Sequence, residues 1–165
     1  VNKPYFMADA GFNVIARQKN DVKLFPALAN SIVKVEFSDT FKSYFENGAE
    51  ITITSGNGNK WDVGYGIAGK NKDNNDNGST PYLFVESGKV LTLSGYALKQ
   101  KPSATIDAPQ VTFNNVEKTM AACTMYTYTF DVKDAGKVTV SINVTNSPVE
   151  EVVVSEEELN DDAIE

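Results

Sequence analysis

The sequence predicts an all-β protein: an antiparallel, Greek-key-like β-sandwich with one short helical turn at about 39–46. Three observations predict it. Strand-like alternation recurs about every ten residues, Gly/Asn/Ser turn formers separate the runs, and a helical period occurs once. That one place follows the best strand. Val33, Val35 and Phe37 alternate with Ile32, Lys34 and Glu36, and then Phe41, Tyr44 and Phe45 fall at i, i+3 and i+4. Ser38 and Asp39 are candidate N-caps, and Asn47-Gly48 supplies a positive-φ stop. So short a helix is unstable alone, so its three rings are expected to plug one end of the sandwich.

Taken in order, Pro4 to Met7 reads as a short edge segment. Phe12, Val14 and Ala16 alternate with Asn13, Ile15 and Arg17 as a strand, Lys19-Asn20-Asp21 turns, and Val22 to Phe25 returns until Pro26 interrupts pairing. After the plug, Ile51 and Ile53 alternate with Thr52 and Thr54. The turn 55–59, SGNGN, leads to Trp61, Val63 and Tyr65, a hairpin whose Gly64/Gly66 face invites a close neighbour. Residues 69–80 are a polar loop. Tyr82–Glu86 and Val90–Leu98 read as a second hairpin across Ser87-Gly88, and Lys99 to Ala104 as a crossover. Val111 and Phe113 mark a strand that Asn114-Asn115 turns. Tyr126, Tyr128, Phe130 and Val132 then alternate with polar residues, DAG (134–136) turns the chain, and Val138, Val140, Ile142 and Val144 return.

At 165 residues, with 41% hydrophobic and 22% charged residues, the chain fits one soluble domain. The expected division is a sandwich over 1–149, with 99–104 as the place where it could split into two sub-sandwiches, and an acidic tail or linker over 150–165. That segment holds eight acidic and no basic side chains, so of the net charge of −7 the other 149 residues keep +1. A nucleic-acid surface is therefore not expected. The absence of His removes the commonest general base and metal ligand. Cys123, the single cysteine, sits in TMAACTMY, where a buried, inert thiol is expected.

The stretches LANSIVKVEFSDTFKSYFENGAEITITS (28–55), STPYLFVESGKVLTLSG (79–95) and YTYTFDVKDAGKVTVSIN (126–143) resemble uncharacterised domains of Bacteroidetes surface lipoproteins. The acidic VVVSEEELNDD (152–162) is similar to the run-out that joins such a domain to its next module. The resemblance implies export, an outer-membrane or cell-surface location through a lipid anchor upstream of Val1, and a place beside a carbohydrate-metabolism domain. Its motifs are structural and name no catalytic residue. A more distant likeness is to fimbrillin-type pilus sandwiches.

Two sites are candidates. Trp61, Tyr65, Tyr82 and Tyr96 could form an aromatic platform for a pyranose, with Asp62 and the Asn-rich loop meeting its hydroxyls, although alternating aromatics in a sandwich are usually core. Asp73, Asn75, Asn77 and Gly78 match the start of a calcium loop, D-x-[DN]-x-[DN]-G. The twelfth position, however, is Phe84 and the ninth Pro81, so a solvated turn is the alternative. No cofactor is expected apart from calcium at that loop. The carboxylates Asp39, Glu46, Glu50 and Asp62 lack a pocket signature, and catalysis is not expected. The expected function is a non-catalytic surface module, monomeric, that binds polysaccharide or presents a neighbouring protein domain. The alternative is a structural or adhesive subunit of a fimbria-like assembly working through strand exchange.

Overall fold

The computed structural model describes residues 3–67, 82–99, 107, 109–133, 137–145 and 147–155. It is a sandwich of two main sheets. In chain order the strands are β1 (Phe6–Met7), β2 (Ala27–Leu28), β3 (Asn30–Phe37), β4 (Ala49–Ser55), β5 (Lys60–Tyr65), β6 (Leu83–Glu86), β7 (Val90–Leu98), β8 (Gln110–Thr119), β9 (Met125–Val132), β10 (Val138–Val144) and β11 (Glu150–Val153), with α1 (Asp39–Tyr44) after β3. One sheet runs β11-β10-β9-β3-β6, the other β5-β4-β7-β8, and β1 and β2 form a separate pair. All pairings are antiparallel except β3 with β9, which is parallel, Val33 lying opposite Tyr126 and Phe37 opposite Phe130. Both main sheets take strands from either side of 99–104, so the chain does not divide there. Among the described residues no helix is long and apolar enough to cross a membrane.

The helical plug forms as the sequence predicts. The Ser38 hydroxyl accepts from the Phe41 N–H at 3.0 Å, which caps the first turn. Phe41 and Phe45 are fully buried and Tyr44 is half-buried against the core. The Phe41 ring lies 4.7 Å from Phe45 and 6.0 Å from Phe130, and Phe37 and Phe113 close the cluster. A six-residue helix is thus held by ring packing drawn from both sheets rather than by its own ladder.

Four expectations are corrected. Ser87-Gly88 does not close a hairpin: β6 pairs with β3 and β7 with β4, so the chain arches from one sheet to the other. Gly88, at φ 74°, donates its N–H to Met120, and Ser87 Oγ donates to the Ala29 carbonyl. Asn114-Asn115 is a bulge inside β8: Leu93 faces Val116 but Gly95 faces Phe113, so β8 carries one extra residue. Cys123 is exposed, at φ 55° in the turn between β8 and β9, because the small-residue run turns the chain instead of entering the core. Phe12 to Phe25 forms no strand; apart from the two-residue pair at its base, this excursion leaves the body.

The first residues of the expected acidic tail belong to the sandwich. Val140 pairs with Val152 and Ile142 with Glu150, and Val154 and Ser155 are buried. β11 itself, Glu-Glu-Val-Val, is exposed throughout, a charged edge strand held by its pairing with β10, and burial begins just after it at Val154.

Candidate functional site

The two lateral sides of the sandwich differ. On one, β8 meets β11: the Asn114 N–H, freed from β7 by the bulge, donates to the Val154 carbonyl at 2.7 Å. Lys118 pairs with the Glu150 carboxylate on the same side. On the other side, β5 and β6 border a crevice of about 410 Å³, within the range of small-ligand sites. The 55–59 turn and the start of β5 bring Asn57, Asn59, Lys60 and Trp61 to it. The end of β6 adds Phe84, Val85 and Glu86, and Asn30 and Lys3 complete the lining.

Each wall follows from local structure. Gly58, at φ 87°, lets the turn close, with its N–H donating to Ser55 and the Asn59 carbonyl accepting from the Ser55 N–H. Asn57 Oδ1 accepts from the Asn59 N–H at 3.1 Å, and its Nδ2 donates to Glu86 Oε2 at 3.1 Å. One side chain therefore holds the turn and ties it across the gap between sheets. Trp61 packs its ring partly on the core at the end of the inward row Trp61, Val63, Tyr65, and its remaining surface lines the crevice. The result is an indole beside amide, ammonium and carboxylate groups, the combination that fits a ring with an apolar face and a hydroxyl rim.

Of the other sequence candidates, Tyr65 lies in the plug. Its ring is 5.2 Å from Phe37, its hydroxyl donates to the Phe45 carbonyl at 3.1 Å, and burial raises its pKa. Tyr82 is exposed at the far end of β6 with Lys34 Nζ over its ring. Asp62 is on the outer face of β5, accepting from Thr52 Oγ1 at 2.7 Å. Tyr96 is on the outer face of the same sheet, level with Glu50 and Thr112. The structure thus brings Trp61 to the crevice and leaves Tyr65, Tyr82, Tyr96 and Asp62 outside it. Asp39 opens α1, while Glu50 lies on the outer sheet face with Asp62. The close neighbour at Gly64 is the protein's own backbone: a Cβ there would meet the Ala49 carbonyl at 1.9 Å. Asp73, Asn75 and Asn77 lie outside the described residues. Among those described, no three His, Cys, Asp or Glu side chains gather as metal ligands.

Asn57 and Glu86 were not singled out from sequence. The turn composition marks Asn57 as a turn former, but its contact with Glu86 spans 29 residues and two sheets.

Fold and crevice together define a β-sandwich module with one side stitched shut and the other open. The chain belongs to a family described as a domain of unknown function, DUF4493, whose model matches residues 1–158. No curated protein and no solved structure matches it.

Proposed function

We propose that the protein is a non-catalytic glycan-binding module of an exported, surface-anchored lipoprotein. The observation that carries this is the crevice between β5 and β6, where the Trp61 ring stands beside Asn57, Asn59, Lys60 and Glu86. A pyranose stacked on Trp61 would offer its hydroxyls to the two amides and the Glu86 carboxylate, all on one rim. Export, lipid anchoring and a Bacteroidetes origin rest on the sequence resemblance alone and belong to this proposal. The alternative of a fimbria-like subunit working by strand exchange has less support, because the last described strand, β11, is paired within its own sheet.

Calorimetric titration with a panel of bacterial, plant and host polysaccharides tests the reading. Wild type is expected to bind at least one of them weakly, and Trp61→Ala to weaken that binding about tenfold, the loss of one stacked ring at roughly 1.4 kcal/mol. Binding that Trp61→Ala leaves unchanged, or no binding to any polysaccharide, would overturn it.

A further inference from the structure

The crevice between β5 and β6 holds charge as well as a ring, and its charges are not balanced. Lys3 and Lys60 line it against one carboxylate, that of Glu86. Both lysines are exposed, and among the described residues neither is held in an ion pair. Asp62, two residues along β5 from Lys60, accepts from Thr52 Oγ1 on the outer sheet face. Glu150 and Glu151 belong to β11, at the opposite edge of the sheet from β6. The excess of positive charge is therefore local, in a chain whose net charge is −7.

Hydrogen-bonding capacity is unbalanced in the same direction. The Asn30 side chain is spent on the frame: Oδ1 accepts from the Tyr5 N–H, and Nδ2 donates to the Val85 carbonyl at 3.5 Å. Those two bonds fasten the chain, two residues from Lys3, to β3 and β6, and so keep that lysine at the crevice. Asn57 is engaged in the same way, its oxygen by the Asn59 N–H and its nitrogen by Glu86. Each of these amides keeps one further N–H, and an ammonium donates but never accepts. What remains open is weighted toward donors, with Asn59 and the other Glu86 oxygen as the chief acceptors.

We propose that the crevice selects acidic glycans, polymers whose sugar rings carry a carboxylate or a sulfate. The inference rests on the crevice being a glycan site and names the class of glycan it takes. With a ring stacked on Trp61, a ring-borne anion that reaches Lys3 or Lys60 accepts from the ammonium and pairs with its charge. A neutral pyranose leaves both ammonium groups to water. An amino sugar places a cation among cations and has only Glu86 to meet it, a carboxylate already shared with Asn57. Lysine is a point charge without the planar fork of arginine, so a carboxylate and a sulfate suit it alike.

Calorimetric titration of the full chain with matched polymers tests the proposal. One pair is polygalacturonate and its methyl ester; the other is a sulfated galactan and its desulfated form. Wild type is expected to bind the acidic member of at least one pair about fivefold more tightly at low salt, the effect of two exposed ion pairs. The pair that shows the preference identifies the anion. The ratio should fall toward one in molar salt, and likewise when Lys3→Gln and Lys60→Gln are combined. It should persist in Lys118→Ala, which changes a lysine of the closed side. Equal affinity for charged and neutral members, tighter binding of chitosan, or a preference that survives the double variant or is lost with Lys118→Ala would overturn the proposal. Each of those results leaves the glycan reading standing, as does binding confined to neutral polysaccharides. Failure of every polysaccharide to bind overturns both.

Discussion

The β8–β11 side and the β5–β6 side of the sandwich meet the same problem, two sheet edges facing water, in opposite ways. On the first, a single extra residue in β8 turns the Asn114 amide toward Val154, and the edge is covered. On the second, Asn57 reaches Glu86 and a polar crevice remains beside Trp61. On the closed side a backbone bond joins the sheets beside the Lys118–Glu150 pair; on the open side the Asn57–Glu86 side-chain bond joins them across a crevice. A closed edge has satisfied its hydrogen-bonding groups internally, whereas an open one still has donors and acceptors to offer.

The comparison breaks first at the closed side. Ending the chain after Val149 removes β11, exposes the edge of β10 and deletes buried Val154. The expected loss is about 4 kcal/mol in urea unfolding, from lost ladder bonds and apolar burial. A loss under about 1 kcal/mol would mean the seam is ornamental.

Phe45→Ala sets the scale for the core that both sides share. Phe45 is fully buried between Phe41, Tyr44 and Phe113. Truncation should cost about 3 kcal/mol, transfer and cavity together, in the same unfolding measurement. If the melting temperature hardly moved, the plug would not be holding the end of the sandwich.

Lys118→Ala probes the weakest part of the closed side. Its partner Glu150 is half exposed, so water and salt screen the pair. The expected change is less than about 1 kcal/mol and should vanish in molar salt. A larger, salt-independent loss would place the seam's strength in this ion pair rather than in the Asn114–Val154 bond.

Much of this was legible in the sequence wherever a strand buries one face. The alternations at 32–37, 51–54, 126–132 and 138–144 each became a strand, since burial of every second residue fixes both element and facing. The plug was legible because its i, i+3, i+4 rings demand a dock. What a local pattern does not encode is the partner. Ser87-Gly88 makes the same tight turn in a hairpin or an arch, and only the distant strands β3 and β4 decide which. Asn114-Asn115 has turn composition, yet pairing with β7 on both sides makes it a bulge. At the site, the Asn-rich turn and Trp61 were visible, whereas Tyr65 shares Trp61's row and went to the plug at the other end of β5. Period gives the face of a strand; it does not give the position along it that meets the solvent.

The central claim, that the open side binds and the closed side only holds, has a direct optical test. Trp61 is the protein's single tryptophan, so emission excited selectively at the indole, beyond tyrosine absorption, reports from the crevice. A polysaccharide that binds there should shift or quench that emission saturably. Asn57→Ala, which removes the link to Glu86, should weaken the response severalfold, while Lys118→Ala leaves it unchanged. A bound polysaccharide that leaves the Trp61 emission unaltered, or a response lost on Lys118→Ala and kept on Asn57→Ala, would contradict the account.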